Sequence, residues 1–333
     1  MVVGLLCFAK FTFIEEQSES LARCKSGRAP RISQDNSRKK LVAPNLRTEY
    51  STTVKESESF SSVRSKAESS SDAQERNRLW WETLPMTYED WESPERKTEV
   101  EGKLREFLEE FRTCSSYITL FPYERLAGKD VLEIGCGFGG ASCLLAKGGA
   151  NVQAVDLTEA AVRGASAITQ FYGLNVKVQQ MDAERLQFPD ATFDYVFSWG
   201  VLHHSHDTQA AFRQVSRVLK PGGKGMIMVY NRNSLRYFQN GIHALLLRGK
   251  IFQGETFKSA QRFYTDGYYH RHFSPGELKS CLAKEGLHVD KTTITYMKEQ
   301  MLYKWPKALD DYLKDKIGWL LVVEFTKSAD PAS

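Results

Sequence analysis

The run Val131-Leu-Glu-Ile-Gly-Cys-Gly-Phe-Gly-Gly140 constrains this chain more than any other feature of its sequence. A short apolar stretch of strand character leads into a turn carrying Gly135, Gly137 and Gly140, and a segment with helical spacing follows. Glycines let a backbone approach a ligand where a side chain would clash, and a helix start beside them offers unpaired N–H groups. A strand, a glycine turn and a helix in that order open a parallel βαβ unit. The spacing alone does not name the ligand, because several nucleotide-binding enzymes use the same device.

The pattern continues beyond this unit. Residues 131–134, 152–155, 176–180, 195–198 and 225–229 read as strands, and 141–147, 159–171 and 210–219 as the helices between them. Residues 287–297 and 319–325 read as two further strands, and Ser274, Pro275 and Glu277 as a capped helix start. The fold class is α/β.

The landmarks resemble, in order, the class I S-adenosylmethionine-dependent methyltransferases, especially their small-molecule, type 11-like group, whose first motif reads like VLEIGCGFGG and whose fourth strand reads like FDYVFSWGVLHH. The resemblance covers about Asp130 to Lys327. It implies a Rossmann-like, seven-stranded, mostly parallel sheet with helices on both faces and the last two strands antiparallel at its edge. It implies S-adenosylmethionine as cofactor, with Glu133 fixing the glycine loop and the methionine amino end, and Gly135 and Gly137 making room. Asp156, 23 residues after Glu133, would accept from the ribose hydroxyls, with Leu157 beside it. Asp182 and Ala183 would meet the adenine, and Ser198 on the fourth strand completes the implied set. Taken singly, Asp156 also reads as a helix cap and Asp182 as a loop acid. A nicotinamide dehydrogenase would share the glycine loop and the second-strand acid, but it explains neither Asp182 nor the Leu219-Lys-Pro-Gly-Gly223 turn.

Ligands of open α/β sheets sit beyond the strand C-termini, so a methyl acceptor is expected near residues 199–206 and 230–237. The first of these carries His203, His204 and His206. No cysteine or carboxylate at ligand spacing accompanies them, so no metal is implied, and His203 is the candidate base ahead of His204. An insert at 231–273 exceeds an ordinary connection and is expected to act as a lid, with helices near 235–248 and 257–263. It ends in Tyr264-Thr-Asp-Gly-Tyr-Tyr-His-Arg-His-Phe273, where Tyr268 and His270 are further catalytic candidates. A surface loop packed by its own aromatics is the equal alternative. Lys250, Lys258, Arg262 and Arg271 make the insert basic, which suits an acidic acceptor or a solvated face. The expected acceptor is a small, partly apolar metabolite such as a quinone, sterol, isoprenoid or polyketide-like compound. The alternative is a binding module that holds the cofactor or its product without methyl transfer.

The N-terminal part is different in kind. Residues 1–74 are rich in Ser, Lys, Arg and Glu and read as a disordered tail. Its apolar opening leaves an organelle transit segment open, while Glu15, Glu16 and Glu19 favour a plain solvated tail. Residues 75–129 read as a helical segment, in which Trp80, Trp81, Tyr88 and Trp91 either anchor it to the main domain or form a lid. A helix is expected from Ser93, with Leu104, Phe107, Leu108 and Phe111 on one face. With 41% hydrophobic and 26% charged residues the chain reads as an ordinary soluble globular protein, and a net charge of +4 disfavours nucleic acid as a partner. No apolar run reaches the length of a membrane-spanning helix. The six cysteines show no CxxC pairing, which suits a reducing, intracellular compartment, cytoplasmic or organellar. Oligomeric state is not legible.

Overall fold

The computed structural model describes residues 70–83, 120–121, 123–265, 267–296, 301–302 and 305–329. All of these belong to one compact unit, Glu68–Ser333. Residues 1–69 of the expected tail, Tyr88, Trp91 and the helix expected from Ser93 lie outside the described residues.

Helix α1 (Ser70–Thr83) comes first, and it starts inside the stretch read as tail. The α/β domain then runs β1 (Asp130–Ile134), α2 (Gly140–Lys147), β2 (Asn151–Asp156), α3 (Glu159–Phe171), β3 (Val176–Gln180), β4 (Phe193–Trp199), α4 (Thr208–Val218) and β5 (Leu219–Asn231). It closes with α5 (Leu235–Ile242), β6 (His272–Phe273), α6 (Pro275–Ala283), β7 (Leu287–Thr295), α7 (Lys307–Ile317) and β8 (Leu320–Lys327).

The sheet order is β3-β2-β1-β4-β5-β8-β7. The first five strands are parallel, and β8 runs antiparallel to both β5 and β7. Among the described residues the sheet carries, beside the seven strands expected, a two-residue strand, because His272 and Phe273 pair parallel with Tyr230 and Asn231 at the end of β5. The end of the insert is therefore sheet and not loop. Phe273 is fully buried, its ring near that of Phe212, and its carbonyl accepts from Arg232 N at 2.8 Å. Burial of one aromatic ring is enough to fix so short a strand.

Successive strand residues point to opposite faces, and both faces are apolar. Leu132, Val196 and Ile227 pack with Phe212 of α4 and Leu278 of α6 in one core. Val131, Phe197 and Met226 pack with Leu145 of α2 and Tyr237 of α5 in the other. Helices thus cover both sides, as the apolar runs imply. Polar side chains fix where the helices begin: Asp207 accepts from Ala210 N at 3.0 Å, Ser234 from Tyr237 N at 3.1 Å, and Ser274, ahead of Pro275, from Glu277 N at 3.4 Å. The insert helix expected at 235–248 is α-helical only to Ile242 and continues as a π-helical turn, His243–Leu247. The second expected helix is a 3-10 turn, Ser259–Phe263. Among the described residues no helix is long and apolar enough to cross a membrane.

Candidate functional site

At the C-terminal ends of β1, β2 and β4 lies a cavity of about 350 Å³. Its floor is the glycine turn. Gly135 adopts φ +76, and a Cβ there would come within 2.2 Å of the Val201 side chain, so only glycine lets the β4 exit close onto the turn. Gly135 N and Cys136 N donate to the Val155 carbonyl at 2.7 and 3.0 Å, which locks the turn to β2.

Three carboxylates line this cavity: Glu133, Asp156 and Asp182. Asp156 Oδ1 accepts from Thr158 N at 3.0 Å and Thr158 Oγ1 at 2.9 Å, while Oδ2 accepts from Gly137 N at 3.0 Å. These bonds fix the orientation of the carboxylate. The helix-cap role that Asp156 might have filled belongs to Thr158, whose hydroxyl accepts from Ala161 N. Glu133 is almost fully buried, and its Oε2 accepts from the Ser142 hydroxyl. Burial pushes its carboxyl up to about 8, against the pull of that hydrogen bond. Burial also raises Asp156. Asp182 Oδ1 accepts from Glu184 N and from Gln74 Nε2, both at 2.8 Å.

Helix α1 forms a wall of which the sequence marked only the aromatic end. Gln74, Asn77 and Trp81 line the cavity. Asn77 Nδ2 donates to the His204 carbonyl at 3.0 Å, and the Trp81 ring meets the His204 ring edge-on at 4.9 Å. The Glu82 carboxylate accepts from Glu159 N at 3.1 Å and Ala160 N at 3.0 Å, satisfying otherwise orphaned amides at the α3 start. The spacing 74, 77, 81 is that of one helical face, but the face is two amides and an indole, so a search for apolar periodicity passes over it.

Gly135, Gly137, Leu157 and Ala183 line the cavity. Ser198 does not: it is fully buried and its hydroxyl donates to the Ile134 carbonyl at 3.0 Å, tying β4 to β1. The three catalytic candidates, His203, Tyr268 and His270, are also absent from the cavity wall, where His204 stands instead. His203 turns inward against Tyr230, at 4.1 Å between ring centroids, and burial drives its pKa well below the usual histidine range. His204 Nδ1 lies 2.9 Å from the Tyr269 carbonyl. A carbonyl only accepts, so Nδ1 carries the proton and Nε2 the lone pair. Burial lowers the His204 pKa to about 4, which leaves the ring neutral at pH 7. The loop expected as acceptor wall braces this imidazole from behind: Arg271 N donates to the His203 carbonyl at 2.9 Å, and Arg76 of α1 lies 5.9 Å over the Tyr268 ring. Among the described residues no group of His, Cys, Asp and Glu could hold a metal ion.

No lysine or arginine is among the residues described on the cavity wall, although three carboxylates are. Such a site suits a cationic ligand and opposes a pyrophosphate, which distinguishes it from a dinucleotide site on the same kind of sheet. The glycine cradle, an acid at the end of the second strand and an acid after the third are the arrangement expected of a class I S-adenosylmethionine-dependent methyltransferase, and this part of the chain carries a methyltransferase domain. Residues 131–223 match the family model described as "Methyltransferase domain". Among curated proteins the chain is similar to the ubiquinone biosynthesis O-methyltransferase of Pseudomonas fluorescens, 38% identical over 114 residues, 34% of this chain and 49% of that one. The enzyme of the same name from Coxiella burnetii is 37% identical over 112 residues, 34% of this chain and 48% of that one. The chain thus spans about half the length of the curated relatives it matches. A similar solved structure is the S-adenosylmethionine dependent methyltransferase from Mesorhizobium loti, 19% identical with a TM-score of 0.45, over 62% of this chain and 96% of that one.

Proposed function

We propose that this protein methylates a hydroxyl group on a small, partly apolar, quinone-like metabolite, using S-adenosylmethionine. The observation that carries the reading is one cavity lined both by carboxylates and glycines and by Trp81, Trp199 and His204. When bound, the cofactor supplies an electrophilic methyl group on a sulfonium. Glu133 and Asp156 would hold its amino and ribose ends, and Asp182 its adenine. The neutral His204 ring would accept a hydrogen bond from the acceptor hydroxyl through Nε2 and orient an oxygen lone pair toward the methyl carbon. With its pKa near 4 it is a poor general base toward the free hydroxyl at pH 7, but the acceptor oxygen becomes strongly acidic once methylated and would release its proton to Nε2 and on to solvent. The contribution of His204 is orientation and passage of that proton, and the two indoles exclude water. The printed name of the curated relatives supports a quinone precursor as the acceptor class.

The test is to incubate the full chain with methyl-labelled cofactor and a panel of catechols and hydroquinones with and without prenyl tails. Label recovered as a methyl ether supports the proposal. Tight cofactor binding with no turnover across the panel, or label on nitrogen or carbon, overturns it.

A further inference from the structure

The insert between β5 and β6 presents apolar residues outward. On α5 and the π-helical turn, Tyr237, Gly241 and Ala244 face inward and are buried. Phe238, Ile242 and Leu246 follow one another at four-residue spacing on the opposite face, 50%, 49% and 65% exposed. A helix that is apolar on both faces needs a second apolar layer against it. The next turn adds Leu247, Ile251 and Phe252, and Phe252 is 92% exposed at the tip of the 3-10 turn Lys250–Gln253. Isolated exposed apolar residues need no explanation, but a contiguous set of this size on one element does.

The patch is held in shape by its own framework. A Cβ at Gly241 would come within 2.1 Å of the Phe257 ring, so glycine there lets the ring seat against the helix. Gln261 Nε2 donates to the Tyr237 carbonyl at 2.9 Å, which ties the 3-10 turn Ser259–Phe263 to α5. The outward apolar set is therefore part of a folded surface. The segment is basic: between 232 and 263 the sequence has six Lys or Arg, of which Arg232 pairs with Glu277 and Arg236 lies over the Trp319 ring, and a single acid, Glu255, which pairs with Arg262. Arg248, Lys258 and Arg262 are exposed, and Lys250 lies 5.0 Å over the Phe263 ring.

We infer that this face is a membrane-docking surface that seats in the headgroup region of an anionic bilayer. Exposed Phe, Ile and Leu would enter the acyl boundary, and the exposed cations of the segment would meet lipid phosphates. The charge decides between occupants, because a second copy of the chain would set one basic patch against another. The inference is independent of the acceptor's identity, since the cofactor site lies on other residues.

The full-length protein should co-sediment with vesicles of phosphatidylcholine containing phosphatidylglycerol, and much more weakly with phosphatidylcholine alone. Phe252→Glu with Leu246→Glu should reduce binding to the anionic vesicles by about tenfold or more. Lys250→Glu with Lys258→Glu should remove most of the preference for anionic lipid. Both double variants should bind adenosylhomocysteine as the parent does, which shows that they fold. Absence of binding to anionic vesicles, or binding that neither pair of substitutions changes, overturns the inference. So does a dimer that Phe252→Glu and Leu246→Glu dissociate while vesicle binding is absent.

Discussion

Glu133→Gln should stabilise the ligand-free protein and weaken its cofactor binding at the same time. In the folded chain burial holds the Glu133 carboxyl at about 8, against an ordinary value of 4.5. Between those two pH values the native state keeps a proton that the unfolded chain has released. Stability therefore falls as pH rises through this window and levels off above about pH 8, where both states are ionised. At pH 7 the effect spans roughly 2.5 pH units at about 1.4 kcal/mol each, or about 3.5 kcal/mol as an upper bound. Glutamine keeps the shape and can still accept the Ser142 hydroxyl, but it has no proton to retain.

Urea midpoints measured from pH 5 to 9 test this. The two proteins should converge near pH 5 and separate progressively up to about pH 8, with the variant more stable by about 1–3 kcal/mol at pH 7. Calorimetry should show the opposite sign for ligand. At about pH 9, where the Glu133 carboxyl is ionised, loss of a charge-assisted contact to the cofactor's ammonium should cost about 1.5–3 kcal/mol of affinity for S-adenosylmethionine and adenosylhomocysteine alike. Parallel pH–stability curves would refute the raised pKa, and unchanged affinity would remove Glu133 from the site.

Three further outcomes are expected. Asp156→Ala should weaken both ligands by about 1.5–3 kcal/mol in calorimetry, since it loses the ribose acceptor and also the anchor for Gly137 N and Thr158; an unchanged affinity would remove it from the site. Deleting residues 1–69 should leave adenosylhomocysteine affinity intact, whereas deleting 1–83 should reduce it, because Gln74, Asn77 and Trp81 leave with α1; equal effects of the two truncations would show that α1 does not close the site. His204→Ala should lower methyl transfer by about tenfold or more, about 1.4 kcal/mol of barrier, with little change in adenosylhomocysteine affinity, and Tyr268→Ala, off the cavity wall, should do less; the reverse ranking would restore the loop as the acceptor wall.

The clustering of glycines and carboxylates was legible because strand period and glycine spacing determine it locally. Glu133, Gly135 and Gly137 follow one another on one strand and its turn, Asp156 ends the second strand and Asp182 lies two residues beyond the third, so reading the strands correctly places all five at one end of the sheet. Ser198 was misplaced for a related reason. Alternation along β4 says which face a residue is on, but not whether its hydroxyl reaches a ligand or the neighbouring strand's carbonyl, and here it reaches Ile134. Gln74 and Asn77 of helix α1 escaped because they are polar and lie in the stretch before Trp80, and the fit of the helix to the domain is visible only through partners 77 to 127 positions away, such as Glu82 with Glu159 and Asn77 with His204.

The aromatic part of the cavity wall is fixed by tertiary contacts that converge on one ring. His203 and His204 are neighbours in the 3-10 turn Leu202–His204, which sends one imidazole toward Tyr230 and the other to the cavity wall. Nothing in a doublet of identical residues says which goes where. The choice is made from outside: Asn77 and Trp81 of α1 hold His204 on one side, and the Tyr269 carbonyl holds Nδ1 on the other. Gly267, at φ +99, completes the brace, since a Cβ there would fall 2.3 Å from His204 Nδ1. The two segments that the sequence marked as aromatic lids therefore both meet His204, with Trp81 on the cavity wall and the 264–273 loop behind the ring. Of these contacts, the bond to Tyr269 sets the tautomer and so leaves Nε2 as the acceptor atom, which makes the orientation of an incoming hydroxyl a property of the insert as much as of the histidine itself.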